Sequence, residues 1–442
     1  MLLRFGCENF KSIKDYQEIL FTCSSDNSCD HHNLFKKDAI KEHVLPIVAI
    51  YGANASGKTN MIGALRLLCG GILHSAETRN DNVTPFRLDS AYSEKPSIFD
   101  IDFILEGTHY HYGFSIKKSV IQEEWLYAFA NKTRVSRTVL YYRDKNVAPE
   151  EDEFYFGKSF KGQNKSISKI TSETSLFLSV AALSNHVLAE GIHKYIKESI
   201  KFRFSSDISE QTVGKSIYKY SLEKAISNFI SKVDIGAVRL SSIKEERDEE
   251  EKDKFLKVFN AINSVLGSEG VSGSNVDEFE YVVNVYRKDQ NKKEVKFNFS
   301  DESLGTRALI SILSSIFNVL KNGGVFVVDE LESSLHTLLS LKVVELFNCT
   351  KSNPNGAQLL FTTHETQLLN FDGVRKDEVW LSEKGIDGGT QLRPLTDYAI
   401  DKRANLRKGY LDGRFGAIPF LSTLNTFNLF EDEIDDGKSK TI

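Results

Sequence analysis

An open α/β fold with a mixed, largely parallel sheet is what this sequence of 442 residues predicts, and three apolar runs predict it. Residues 44–51 (Val-Leu-Pro-Ile-Val-Ala-Ile-Tyr), 325–328 (Val-Phe-Val-Val) and 358–362 (Gln-Leu-Leu-Phe-Thr) are short, and glycine or polar residues close each of them. Near-continuous apolar runs of this length mark strands buried on both faces, the condition of parallel strands covered by helices. Segments of helical period alternate with them, so a ligand is expected at the carboxyl ends of these strands.

Taken in chain order, Leu3, Phe5 and Cys7 alternate as one face of a first strand, followed by a turn at Asn9-Phe10-Lys11. The run at 44–51 stops at Gly52, and a helical pattern extends from Gly57 to Leu68. Residues 97–116 read as two strands around a Glu106-Gly107 turn, an antiparallel β subdomain. From about Ser175 to Ile262 the pattern is mostly helical, with a charge run at Lys244–Lys254 read as a solvated helix face. A second hairpin spans Phe279–Phe299 with its turn near Asp289-Gln290-Asn291. A helix from Ser303 to Lys321 then leads into the 325–328 strand. No internal repeat and no sustained heptads are visible, which argues against a long coiled coil.

Composition narrows the function classes. Lys+Arg number 56 and Asp+Glu 61, a formal charge of −5, which excludes a chain-wide basic footprint for nucleic acid but not a local basic patch. The 40% hydrophobic and 26% charged content is that of an ordinary soluble protein, and 30 Phe with 16 Tyr can fill a sizeable core. Five cysteines (Cys7, Cys23, Cys29, Cys69, Cys349) are scattered, and the start MLLRFGCENFKS has no leader pattern, so a cytoplasmic location is expected. The Leu309–Leu320 stretch is too short to span a bilayer, so no membrane is expected. Cys23 and Cys29 with His31-His32 fit no usual zinc spacing and read as a loop.

Two motifs carry chemistry. Gly52-Ala53-Asn54-Ala55-Ser56-Gly57-Lys58-Thr59 matches G-x-x-x-x-G-K-[ST] between a predicted strand and a predicted helix. Such a loop wraps phosphates with backbone N–H groups at a positive helix end. Lys58 reaches the β- and γ-phosphates, the Thr59 hydroxyl ligates Mg²⁺, and Asn60 joins the nucleotide-binding set. The second motif, Gly324-Val-Phe-Val-Val-Asp329-Glu330, puts Asp329 at the end of a buried strand to hold Mg²⁺, and Glu330 one residue on as general base. Ser303-Leu304-Gly305-Thr306 opens a helix ahead of Asp329, where a Ser and a Gly suit γ-phosphate contact across a dimer interface. A plain helix-capping Ser is the competing reading. His364 follows the 358–362 strand and suits a polar switch sensing the γ-phosphate.

The order of these motifs, with Leu331-Glu332-Ser333-Ser334-Leu335-His336 as a D-loop, resembles an ABC-class P-loop ATPase head, the type shared by SMC, RecF and the overcoming-lysogenization-defect ATPases. The opening Glu8-Asn9-Phe10-Lys11-Ser12 is similar to the first strand of those heads. More narrowly, Ser175-Leu-Phe-Leu-Ser179, Glu302-Ser-Leu-Gly-Thr306 and Tyr410-Leu-Asp-Gly-Arg-Phe-Gly-Ala-Ile-Pro419 resemble bacterial AAA-family ATPases of the RloA/AbiL kind, relatives of the AriA subunit of the PARIS defence system. Leu304 stands where the transporter signature Leu-Ser-Gly-Gly-Gln has its first Gly, which does not favour a transporter subunit.

The resemblance implies ATP sandwiched between two heads of a homo-oligomer. Lys58, Thr59, Asp329 and Glu330 would act on one nucleotide, and Ser303 and Gly305 on the neighbour's. It implies an ATPase acting as sensor or scaffold in antiphage (abortive infection) defence, controlling a separately encoded effector, a nuclease or toxin. Only 78 residues follow His364, too few for a fused Toprim nuclease, and no Arg-x4-His ribonuclease pattern occurs. Gln122 is one candidate for the Q-loop, with a surface Gln as the alternative. The basic stretch Lys402-Arg403, Arg407-Lys408 and Arg414 could touch nucleic acid or an effector, or be a solvated helix, and Arg414 reads as the most constrained of them. The acidic tail Glu431–Asp436 is expected to be disordered. The expected organisation is residues 1–190 and 275–442 as two halves of one head, with a mostly helical insertion at 191–274. Two rival readings are a RecF/SMC-like DNA-binding ATPase of DNA repair and a non-catalytic, ATP-dependent assembly protein.

Overall fold

The three apolar runs become neighbours in one six-stranded sheet of the computed structural model, which describes residues 1–24, 34–78, 83–131, 135–148, 152–203, 208–233, 236–246, 279–333, 335–371, 373–400 and 404–418. Strand β3 (Ile47–Gly52) pairs in parallel with β14 (Gln358–Thr363) and with β15 (Val379–Lys384). β14 continues in parallel to β13 (Val325–Val328), and β13 to the edge strand β9 (Ile200–Arg203). Only β16 (Thr390–Pro394), at the other edge, runs antiparallel. Alternate residues of β3 feed two different cores. Val48 and Ile50 pack with helix α1 (Lys58–His74), and Ile47, Ala49 and Tyr51 pack with helices α8 (Leu304–Asn322) and α9 (Thr337–Asn348). That double burial is why the strand is apolar at almost every position.

A second, seven-stranded sheet is antiparallel and lies on the α1 side, in the order β2-β1-β4-β5-β6-β7-β8. Its strands are β1 (Leu2–Glu8), β2 (Gln17–Leu20), β4 (Ser97–Leu105), β5 (Thr108–Lys117), β6 (Val120–Asn131), β7 (Val135–Asp144) and β8 (Phe154–Phe156). The β4–β5 turn is the expected Glu106-Gly107, with φ of 48° and 76° at its two residues, the positive pair a two-residue hairpin requires. The side-chain amide of Gln358 on β14 bonds both backbone groups of Leu2 and so stitches the two sheets together. Buried Glu124 on β6 accepts from Phe177 N and Leu178 N, capping helix α4 (Phe177–Leu183) in place of a local Ser or Asp.

The described residues of the 191–274 stretch combine helices with two strands. Helix α5 (Val187–Ser199) crosses residue 191, and β9 at 200–203 is part of the six-stranded sheet. Beyond it come α6 (Glu210–Lys219), α7 (Glu223–Ile230) and β10 (Ala237–Glu246). β10 forms an antiparallel sheet with β11 (Phe279–Lys288) and β12 (Glu294–Asn298). Residues 244–246 of the charge run are therefore the exposed end of a strand, and the rest of that run lies outside the described residues. So do Cys29, His31, His32, Ser334, Lys402, Arg403, Pro419 and the acidic tail. The other four cysteines are free thiols. Among the described residues one helix, α8, is long and apolar enough to cross a membrane, and 56% of its apolar window is buried inside the fold.

Candidate functional site

The carboxyl ends of β3, β13 and β14 meet at one edge of the sheet, and the sequence-predicted residues meet there with them. The loop leaving β3 needs its two glycines twice over. Gly57 sits at φ 113°, and a Cβ there would fall 2.1 Å from the Thr390 hydroxyl oxygen. A Cβ on Gly52 would come within 2.3 Å of the Ser382 carbonyl and 2.6 Å of Ser56 Oγ. Ala55 also takes left-handed backbone, at φ 62°. Asn54 is exposed, whereas Ser56 is buried and its hydroxyl has no hydrogen-bond partner.

Lys58, the first residue of α1, folds its ammonium over the loop onto the carbonyls of Gly52 (2.9 Å) and Ala53 (3.0 Å). Burial pushes its pKa below the ordinary lysine value, and the charges of Asp329, Glu330 and Glu332 pull the other way. Thr59 Oγ1 donates to Asp329 Oδ2 at 2.9 Å, and Thr362 Oγ1 donates to Asp329 Oδ1 at 2.6 Å. The same Thr362 hydroxyl accepts from Glu330 N at 2.7 Å. Glu330 holds left-handed backbone (φ 52°), a conformation that costs a non-glycine residue about 1–3 kcal/mol and clusters at functional sites. Its side chain is exposed at the site's mouth. His364 donates its backbone N–H to Glu332 Oε1 at 2.5 Å. Burial, then the nearby Lys58 charge, lowers the pKa of its imidazole, which is therefore neutral at pH 7.

Sequence reasoning did not find several of the residues that hold this cluster. Thr362 is the pivot between Asp329 and Glu330, and its only signal was a hydroxyl at the end of an apolar strand. The Ser56 carbonyl accepts from Thr390 Oγ1 (2.8 Å) and Ser382 Oγ (3.2 Å), so the β15–β16 hairpin braces the phosphate loop from the side. The Thr390 hydroxyl also meets Ser12 Oγ (2.8 Å), and Ser12 Oγ accepts from Asn60 Nδ2 (2.7 Å). The C-terminal string joins from below. Tyr410 packs edge-on against Tyr51, and the Tyr51 hydroxyl donates to the Glu365 carbonyl beside His364.

The fold places three further sets of residues outside this cluster. Gln122 lies on β6 in the antiparallel sheet, not on the phosphate-loop sheet, and its amide donates to Val120 O. Arg414 is exposed, its guanidinium 3.9 Å from Asp412, whereas its neighbours Phe415 and Ala417 are the buried, constrained residues. Ser303 and Gly305 are not drawn into the cluster. Ser303 caps α8 by accepting from Thr306 N (3.1 Å), the Ser303-Leu304-Gly305 corner is exposed, and Glu302 beneath it is pinned by Arg287.

The donor set fits a nucleotide with a hard divalent cation: a hydroxyl and a carboxylate oxygen already 2.9 Å apart, an ammonium on the loop, and an unspent buried hydroxyl at Ser56. Fold and site together define a mixed α/β P-loop protein with the donor set of a nucleotide-binding site. The model of the family described as "AAA domain, putative AbiEii toxin, Type IV TA system" matches residues 47–370, and the chain belongs to that family. Among solved structures it is similar to the SMC head domain from Thermotoga maritima, at 14% identity and a TM-score of 0.40, over 89% of this chain and 98% of that one. A Pyrococcus furiosus Smc head with an extended coiled coil, bound to the C-terminal domain of ScpA, is similar at 13% identity and a TM-score of 0.35, over 90% and 97% of the two chains. No curated protein matches the chain.

Proposed function

We propose that the protein is an Mg²⁺-dependent ATPase that hydrolyses ATP to ADP and phosphate between two heads. In this reading it serves as a sensor or scaffold in antiphage defence that controls a separately encoded effector. The observation that carries the catalytic part is the pairing of Thr59 and Asp329 beside Lys58, with Glu330 fixed one residue further on through Thr362. The loop N–H groups of Gly52–Thr59 and the Lys58 ammonium bind and orient the phosphates. Thr59 and Asp329 would hold Mg²⁺, which supplies charge neutralisation on the phosphate oxygens. Glu330, exposed and unshielded, takes the proton of the attacking water. His364, neutral and facing Lys58, reads the terminal phosphate. Ser303 and Gly305 act on the nucleotide of the partner head. The defence role is supported by the toxin–antitoxin description of the family and by the resemblance of the C-terminal string to RloA/AbiL-type ATPases.

Glu330→Gln tests the enzymatic reading. The expected result is retained ATP binding with phosphate release reduced at least ~100-fold. A wild type that turns over no faster than the variant would leave only an ATP-dependent assembly protein. Co-purification with the product of the adjacent gene in ATP and in ADP tests effector control, and a chain that runs alone in both states counts against it.

A further inference from the structure

A cleft of about 850 Å³ opens between β9, α6 and α8, and no residue of the Gly52–Thr59 loop lines it. Its walls carry four cations, Lys201 and Arg203 from β9 and Lys215 and Lys219 from α6, and no carboxylate among the described lining residues. The sequence explains why α6 presents them. Thr212, Lys215, Ser216 and Lys219 recur at helical spacing along the cleft, with buried Val213 at its base, while Gly214 and Ile217 are buried in the core. The facing wall is the less expected one. Helix α8 is a core helix, yet Ser311, Ser314, Ser315 and Asn318 place polar groups at i, i+3, i+4 and i+7 along the side that lines the cleft. Three of these are buried, at 5%, 3% and 9% exposure for Ser311, Ser314 and Asn318. A helix that packed only against other helices would fill those positions with apolar side chains. Burial is the largest cause that lowers the pKa of Lys201; the Glu198 charge opposes it, and the like charges of Lys219 and Lys197 add to it.

We propose that the cleft is a second ligand site, for a phosphorylated small molecule of nucleotide size. A multiply charged phosphate group matches several cations spread across one cavity. The volume lies within the range of small-molecule sites, roughly 300–1,000 Å³. The position gives such a ligand a route to the ATPase. Arg203 ends the strand beside β13, and its carbonyl accepts from Asp329 N at 3.4 Å. Helix α8, on the other wall, begins at Ser303. An occupant that ties α6 to both elements links the Asp329 strand end to the outward-facing Ser303 corner.

The test uses inorganic tripolyphosphate as probe and titration calorimetry on the full chain carrying Lys58→Ala, so that the phosphate loop does not compete and the outcome does not depend on ATP turnover. One saturable site per chain is expected. It should weaken at least ~10-fold in Lys201→Gln/Lys219→Gln, where two of four cations are gone, and again in Ser315→Asp, which adds a negative group to the opposite wall. Circular dichroism verifies that each variant is folded. Lys219→Gln alone, on the exposed face of α6, serves if the others are not, with an expected loss of about 3-fold. Absence of binding at millimolar probe, or binding that these variants leave unchanged, overturns the proposal. So does a 20-nucleotide DNA that binds through Lys201 and Lys219 and that tripolyphosphate fails to displace, because the cleft would then be a nucleic-acid groove.

Discussion

The phosphate loop and the Ser303 corner are both helix N-termini marked by a Ser or Thr and a Gly, yet the fold treats them in opposite ways. The loop is enclosed. Thr390 and Ser382 brace its Ser56 carbonyl, Lys58 lies across it, and Thr59 is tied to Asp329. The corner is bare: Ser303 caps only its own turn, and Leu304 is 65% exposed beside it. The loop's contacts are thus made within the chain, whereas the Ser303-Leu304-Gly305 corner stands exposed.

The largest effect should come from the enclosed half. Lys58→Ala should weaken ATP binding by ~100-fold or more, measured by fluorescence of a labelled nucleotide, because it removes the ammonium bonded to the loop's Gly52 and Ala53 carbonyls. Undiminished affinity would break the assignment of the loop. Ser303→Arg should act differently. ATP affinity should stay near wild type while phosphate release falls by tens-fold, since the corner would serve the partner's nucleotide. An equal mixture of the two variants should then recover about a quarter of wild-type turnover, as half the dimers are mixed and each has one intact composite site. No recovery would mean that each chain works alone. A smaller effect is expected at the brace. Thr390→Val removes one of two hydroxyls on the Ser56 carbonyl and should raise the KM for ATP about 5-fold, the size of one lost hydrogen bond of about 1 kcal/mol.

The smallest catalytic effect is expected far from both helix ends. Asp102, on the antiparallel sheet, is partly buried, and the His111 ring at 2.5 Å, the His109 ring at 3.8 Å and the Arg4 charge hold its carboxyl well below the usual range against that burial. A depressed carboxylate stabilises the fold fully above its ordinary pKa of about 4 and loses that contribution as pH falls toward the depressed value. Asp102→Asn should cost about 2 kcal/mol at pH 7, flatten the acid limb of a denaturation-versus-pH series below about pH 4, and leave ATP turnover unchanged. A loss of turnover there would show that the antiparallel sheet takes part in the site.

Much of the site was legible because its parts are local. A G-x-x-x-x-G-K-T loop, an apolar strand ending in Asp-Glu and a His after another apolar strand are each readable within ten residues, and parallel strands gather their carboxyl ends at one edge. Thr362, Thr390 and Ser382 were not legible. Each acts on a residue of another strand, and which strand lies beside which is set by sheet order, to which no local pattern points. Gln122 stayed open between two readings for the same reason, since a strand-like run before a Gln does not say which sheet receives it. Within the 191–274 stretch the strands β9 and β10 were not legible, because β9 is four residues long and β10 finds its partner only beyond residue 278.

The sequence by itself determined the buried strands, the phosphate loop, the Asp329-Glu330 pair and the helix behind Ser303, because glycine freedom, β-branched runs and capping residues act over a few neighbouring positions. Only the tertiary structure decided that Thr362 would join Asp329 to Glu330, that β16 would hold Ser56, and that Ser303 would stand exposed at the start of α8. Those are contacts between distant segments, and packing the two cores against opposite faces of one sheet is what brings them together or keeps them apart.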